Sequence, residues 1–491
     1  VLPVASLDPA TRPADEFTYC DISAIDNDLG KVVTPKLLKG QDAPSRARQA
    51  VRAGDVLFST VRPGLRAIAR VPDAANPVAS TGFCVLRAAE GIDGTYLYQL
   101  VRSDQFLQQV LPLQRGVSYP AVRDADVLTQ VVPVPPAAEQ TRIVSKLEEL
   151  LSDLDAGVAE LKAAQQKLQQ YRQSLLKAAV EGSLTAAWRE AHPAPEETGA
   201  DLLARILRER RARWEAQQLA KFEAQGKAPP KGWEGKYPEP VEIDPSSQPA
   251  LPPGWAWASI DQLAHVGTGV TPLRSKLAYF EGGDMPWVTS GALNAGQVSQ
   301  ASENVTRLAL QECRLEVFPP GSLLVAMYGE GKTRGKCAEL SIPATINQAI
   351  AAIVLAPSAR PCKAYVKAFL LNSYEAMRQQ ASGGVQPNLN LQIVKALAVP
   401  LPPFVEQAEI VTLLAAHTDS LAMLTEGVHA LQRQSTAQRQ NLLRAAFAGQ
   451  LVPQDPADEP ASELLARIRA ERAAQSSRQT SRRRAPAAST P

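Results

Sequence analysis

Apolar positions recur in steps of four and three along two long stretches of the chain. In the first, Ile143, Leu147, Leu150, Leu154, Gly157, Leu161, Ala164, Leu168, Tyr171, Leu175 and Ala178 follow one another without a slip. That spacing predicts a long helix with a coiled-coil seam. The second stretch, Ile410, Leu414, His417, Leu421, Leu424, Val428, Leu431, Ser435, Gln438, Leu442 and Ala445, keeps the same register. Its polar members weaken the seam but can fix the pairing register. Each stretch starts after a Pro-Pro pair and stops near Gly182 or Gly449, the expected start and stop signals. Helices of about 45 residues are about 65–70 Å long. Two of them in one chain, with a domain between, pair most simply antiparallel.

The regions before these helices have a mixed pattern. Short β-like runs, Asp55–Val61 and Phe83–Leu86, precede a helical stretch, Gly91–Val110, and 251–399 repeats that order. The expected fold class is therefore α+β: two tandem α/β domains with two long antiparallel coiled-coil helices, related by a pseudo-twofold axis. The repeat is direct in the letters. VPVPPAAEQTRIV begins at Val132 and VPLPPFVEQAEIV at Val399, an offset of 267. The same offset aligns Arg172 with Arg439 and, more weakly upstream, Gly54 with Gly321, Tyr98 with Tyr365 and Pro120 with Pro387. A preface, Leu251–Val266, opens only the second copy. Matched copies predict that about 15–20 equivalent residues of the first lobe lie before Val1. A further exposed helix is expected over Leu202–Phe222, with a shorter echo at Glu463–Ile468.

Composition narrows the class. In 491 residues, 45% apolar and 21% charged, the balance is that of a globular protein and excludes wholesale disorder. Fifty-two Lys and Arg against 50 Asp and Glu give +2, too little for a polycation that coats nucleic acid. Charge is local instead: residues 31–70 hold nine Lys/Arg against two Asp, and Lys332, Thr333, Arg334 and Lys336 crowd one glycine-rich turn. Both clusters sit at the matching strand-turn of the two copies and suit contact with DNA phosphates and grooves. Eight prolines within 229–253 mark a stiff linker, and the tail after Gln475, with Arg478, Arg482, Arg483 and Arg484, is expected to be disordered. Five cysteines without a CxxC pair and four histidines without ligand spacing argue for buried reduced thiols in a cytoplasmic protein, with no metal. The longest apolar run, Ala349–Pro357, is too short to cross a bilayer.

Catalytic motifs fail on inspection. Ala326-Met-Tyr-Gly-Glu-Gly331-Lys332-Thr333 resembles a phosphate-binding loop, but Ala326 stands where glycine is needed and no apolar helix follows. Leu401-Pro402-Pro403-Phe404 has leucine where an amino-methyltransferase needs an acceptor for the base amino group, and Val266-Gly267-Thr268-Gly269 is a lone glycine motif. No carboxylate cluster, nucleophile elbow or His/Cys pair stands out. The residues thus predict a chain with no active site and no cofactor.

Two variable domains, each followed by a helix that opens with VPxPPxxEQ and closes with LLxAAxxG, resemble the specificity subunits of type I restriction–modification systems. The residues that carry the resemblance are Pro133, Pro135, Pro136, Glu139, Gln140, Ile143, Leu175, Leu176 and Gly182. Their partners are Pro400, Pro402, Pro403, Glu406, Gln407, Ile410, Leu442, Leu443 and Gly449. The resemblance implies target-recognition domains at 1–132 and 251–399 that read a bipartite, asymmetric double-stranded DNA sequence. It implies helical spacers at 133–188 and 400–452, a helical extension and linker at 189–250, and a C-terminal helix and basic tail at 453–491. It further implies docking of two modification (methyltransferase) subunits and of restriction subunits, with S-adenosylmethionine, ATP and Mg on those partners. The residues expected to serve as subunit-docking or spacer positions are Pro136, Glu139, Gln140, Ile143, Leu175, Leu176, Pro403, Glu406, Gln407, Ile410, Leu442 and Leu443, with the exposed helix faces in particular docking the partners. Because base edges are read by Arg, Lys, Asn, Gln and hydroxyls at turns, the candidate DNA residues are Ser59, Thr60, Arg62, Arg66, Ser118 and Tyr119 in the first domain. In the second they are Tyr328, Lys332, Thr333, Arg334, Lys336, Gln348, Gln386 and Asn388. The alternatives are a coiled-coil scaffold or ATP-dependent assembly protein, an enzyme fused to recognition domains, and the specificity subunit of a type II-like restriction enzyme.

Overall fold

The computed structural model describes residues 1–329, 333–380 and 389–484. They form two compact units, one built from 1–164 together with 427–491 and the other from 165–426. The duplication expected from the offset is present in the strands. In the first unit, Val56–Ser59 lies between Ile68–Arg70 and Phe83–Leu86, antiparallel to both, and Lys31–Val32 runs parallel to Ile68–Arg70. In the second, Leu323–Ala326 lies between Cys337–Leu340 and Ile350–Leu355, antiparallel to both, and Gln297–Val298 runs parallel to Cys337–Leu340. Val56 faces Leu86 and Leu323 faces Ile353, the same register at the same offset. Gly54 and Gly321 open the two central strands with the same φ of 87°, a conformation that side chains resist.

The units differ around this common core. The first adds a four-stranded sheet in which Glu16–Cys20 pairs with Lys36–Lys39 and Pro77–Ser80, and the latter with Ala47–Ala50. The second adds Ala264–Thr268 on Ile350–Leu355, a three-stranded sheet around Met285–Val288, and the pair Ala256–Ser259 with Ala398–Leu401. The helical stretch expected over Gly91–Val110 is two helices, Gly94–Arg102 and Asp104–Val110. They break at Ser103, whose hydroxyl caps the second by accepting from the Phe106 N–H.

The long helices run Ala137–Val180 and Phe404–Phe447. In the first unit the early part of one packs on the late part of the other: Ile143, Val144, Leu147 and Leu151 cluster with Leu443, Ala446 and Phe447. In the second unit Leu175, Ala179 and Val180 share a core with Ile410 and Leu414. Both pairings are antiparallel, as expected. The strict heptad register is corrected, however. Leu424 and Leu431 are 57% and 50% exposed, and Leu443, Ala446 and Phe447 are buried instead of Leu442 and Ala445. A straight helix drifts by about 20° per heptad against a 3.5-residue seam. Over the nearly five heptads from Ile410 to Leu443 that sums to about 100°, one residue position. The polar seam residue His417 meets Tyr171, with ring centroids 6.3 Å apart.

Three further expectations change. The exposed helix is Gly199–Ala224, and the proline-rich stretch folds back on it: Trp233 stacks on Trp214 at 5.7 Å and Tyr237 meets the same ring edge-on at 5.4 Å. Helix Ala461–Arg484 takes in Arg478 and Arg482–Arg484, which were expected to be disordered. The tyrosine pair is also reassigned. Tyr365 donates to the carbonyl of Pro400, and Tyr96, not Tyr98, donates to that of Pro133 at 3.1 Å. The constant offset slips by two residues there.

Candidate nucleic-acid interface

The candidate DNA residues of the first unit collect at the turn that joins Val56–Ser59 to Ile68–Arg70. Ser59 and Thr60 are buried, and their hydroxyls donate to the carbonyls of Val61 at 2.8 Å and Gly82 at 2.9 Å. They hold the turn from within. Arg62 and Arg66 flank the short helical turn Pro63–Leu65, both in the left-handed region at φ 48° and 57°. Arg66 is committed to an ion pair with Asp104. Arg62 reaches across to the loop Gln114–Ala121: its backbone N–H donates to Pro120 at 2.7 Å and its Nη2 to the Ser118 carbonyl at 3.1 Å. Its guanidinium lies 4.8 Å from the centre of the Tyr119 ring. Arg62, Ser118 and Tyr119, far apart in sequence, are thus one exposed group.

The basic segment 31–70 is partly neutralised. Lys36 pairs with Asp21 at 2.9 Å, Arg48 with Asp8 at 3.0 Å and Arg66 with Asp104, while Arg87 from outside the segment takes both oxygens of Asp55. Lys31, Lys39, Arg46, Arg52, Arg62 and Arg70 pair with no carboxylate among the described residues. These are the cations available to a polyanion.

In the second unit the matching turn joins Leu323–Ala326 to Cys337–Leu340. It is closed where the Ala326 N–H donates to Lys336 at 2.9 Å and the Gly335 N–H donates to Ala326 at 2.8 Å. Tyr328, Thr333, Arg334 and Lys336 lie on it half-buried. The Nε of Arg334 is buried with no partner among the described residues. Gln348 is exposed and accepts from the Thr271 hydroxyl, and its neighbour Ala349 accepts from the N–H of Met327 at 2.8 Å. The turn and Gln348 are therefore adjacent. Lys332, Gln386 and Asn388 lie outside the described residues.

The motif residues expected at docking or spacer positions are mostly interior. Glu139, Gln140, Ile143, Leu175, Glu406, Gln407, Ile410 and Leu443 are buried, Pro403 also, while Pro136, Leu176 and Leu442 are half-buried. The buried ones act as latches at the helix starts and ends, which suits a spacer role. Glu406 shows the latch fully. Its Oε1 accepts from the Thr185 hydroxyl at 2.7 Å and from Arg189 Nε and Nη2 at 3.0 and 2.7 Å, and its Oε2 accepts from the Trp255 indole at 2.8 Å. Gln407 and Gln140 both donate to the carbonyl five residues earlier, Pro402 at 2.9 Å and Pro135 at 3.0 Å. Glu139 is equally buried, but no hydrogen bond reaches its carboxylate among the described residues. Sequence reasoning missed Arg189 and Thr185, because they follow the helix rather than precede it.

Burial pushes the Cys20 and Cys362 thiols up to about 11 and those of Cys84 and Cys337 up to about 12, so none is a ready nucleophile. No helix is long and apolar enough to cross a membrane among the described residues.

Comparison with known proteins agrees with this geometry. The profile of the type I restriction modification DNA specificity domain matches residues 252–430. The MjaIX type I restriction enzyme specificity subunit of Methanocaldococcus jannaschii is 28% identical over 34% of this chain and 39% of its own length. The EcoDI specificity subunit of Escherichia coli is 26% identical over 73% of this chain and 70% of its own. A solved chain from work on complex assembly and conformational transition of the type I R-M system superposes with a TM-score of 0.61 at 28% identity. That match covers 91% of this chain and 95% of the other. Duplicated cores, paired long helices and these likenesses together make the chain similar, along most of its length, to the DNA specificity subunits of type I restriction–modification systems.

Proposed function

We propose that the chain reads a bipartite, asymmetric sequence in double-stranded DNA, one half with each unit, and carries modification and restriction subunits to it. The observation that carries this reading is the duplicated strand-turn. Each copy presents an arginine, Arg62 or Arg334, on a turn between two antiparallel strands of its unit's core. The surrounding sequence differs between copies, which suits two different half-sites. On this reading 1–132 and 251–399 are the recognition domains, and 133–188 and 400–452 set their spacing. Segment 189–250 and the C-terminal part 453–491 support the helix ends. Methyl transfer to adenine, with S-adenosylmethionine, and ATP- and Mg-dependent cleavage belong to the partner subunits. The protein works in the cytoplasm, where its DNA is and where its thiols stay reduced.

Methylation mapping in cells that co-express the chain with its modification subunits tests this. The expected result is adenine methylation at one two-part motif, and its absence with intact partners sinks the reading. Arg334→Ala is expected to relax or abolish recognition in one half of the motif only, at about 1–3 kcal/mol for a lost base contact. Uniform weakening on all sequences would mark Arg334 as a phosphate contact.

A further inference from the structure

The loop Gln114–Ala121 spends more structure on its shape than an exposed connection needs. Arg115 and Ala121 exchange both backbone hydrogen bonds, at 2.8 and 2.9 Å. Gly116 makes the turn at φ 90°. Arg62 then fastens the far side by the two hydrogen bonds and the ring contact described above. That support is itself strained. Only four non-glycine residues have positive φ among the described residues, and Arg62 and Arg66 are two of them. Strain held in place by its surroundings is a pointer to function.

What the loop presents is apolar. Val117 is 100% exposed and Tyr119 is 72% exposed. None of the contacts that fix the loop uses the Val117 side chain. The setting is cationic: Arg62 and Arg123 flank the loop with no carboxylate partner among the described residues, while Arg115 is paired with Asp126 at 2.9 Å. A rigid loop with an apolar tip between arginines whose charge no carboxylate neutralises is an arrangement by which proteins enter a duplex. The cations hold phosphates, and the tip unstacks a base step and kinks the DNA.

We propose that Val117, with Tyr119 beside it, is a wedge that enters one base step of the half-site read by the first unit. Arg62 is a positioning residue that holds Tyr119. The proposal rests on the DNA-reading function above and adds how one half-site is engaged. It predicts sequence preference at that step from deformability as well as from base contacts, with flexible pyrimidine–purine steps favoured.

The test uses the complex of the full chain with its modification subunits and a duplex carrying the mapped motif. 2-Aminopurine is placed at each position of both halves in turn. A several-fold rise in fluorescence on binding is expected at one step, in one half only. The double variant Val117→Ala, Tyr119→Ala is expected to lose that rise and bind about tenfold more weakly, the scale of one lost stacking contact. Val117→Leu should keep the rise. An unchanged thermal midpoint checks that the double variant folds, as its exposed side chains lead one to expect. A bound duplex with no rise at any position overturns the wedge and leaves the DNA-reading function standing. So does a double variant that keeps the rise, or one that binds DNA normally but no longer co-purifies with the modification subunits, which would make the loop a protein contact. Failure of the unmodified complex to bind the duplex at all would overturn both.

Discussion

Glu406 and Glu139 occupy the same place in the repeated motif and lead different lives. Glu406 is buried among Thr185, Arg189 and Trp255, while Glu139 is buried with no hydrogen-bond donor among the described residues. Removing one member of a buried ionic cluster leaves its partners uncompensated, at about 3–5 kcal/mol. Glu406→Ala is therefore expected to lower the unfolding free energy of the second unit by about that much. Glu139→Ala should cost about 1 kcal/mol or less, since no partner is stranded; urea titrations of the two variants make the comparison. Which letters mattered was legible, because both glutamates stood in the repeat. What they did was not. The latch at Glu406 was not legible, because its donors Thr185 and Arg189 come from a segment that carries no repeat signal. The same holds for Ser59 and Thr60, whose place at a polar turn did not disclose the carbonyls they serve, Val61 and Gly82.

The helices were the most legible elements, with starts, stops and antiparallel pairing all visible in the spacing. Their contact stripe was legible only locally. A heptad reading assumes 3.5 residues per turn throughout, and the real stripe slides by one position between Ile410 and Leu443. The consequence is measurable. Leu421→Ala and Leu443→Ala remove buried side chains, 7% and 1% exposed, and are expected to cost about 2–5 kcal/mol each. Leu424→Ala and Leu431→Ala, in the seam by sequence but exposed, should stay within about 0.5 kcal/mol. Equal losses in all four would restore the strict heptad. The break at Ser103 was hidden because Tyr98 and Val101 before it and Phe106, Leu107 and Val110 after it enter the same core, and only the cap shows the interruption.

At the scale of the molecule, the offset of 267 disclosed two copies, but not which residues each unit collects. The first unit takes 1–164 and then waits for 427–491, whereas 165–426 is a contiguous unit. That division depends on which helix halves pack together, and no local pattern records it. It also sets an order of assembly. As the chain leaves the ribosome, the contiguous unit is complete once Glu426 emerges. Ile143, Leu147 and Leu151 meanwhile have Tyr96 and Leu100 for apolar partners, and the rest of their buried cluster waits for Leu443, Ala446 and Phe447. At about 5–20 residues per second, the seam stays open for roughly 15–60 s. The cores within 1–132 draw on no later residue, so it is the early part of the first long helix, not the domain before it, that stays incompletely covered during synthesis. A chain stopped after Glu426 is expected to yield protease-resistant cores within 1–132 and 165–426 while 137–164 is cut, and protection of 137–164 in that chain would refute this order.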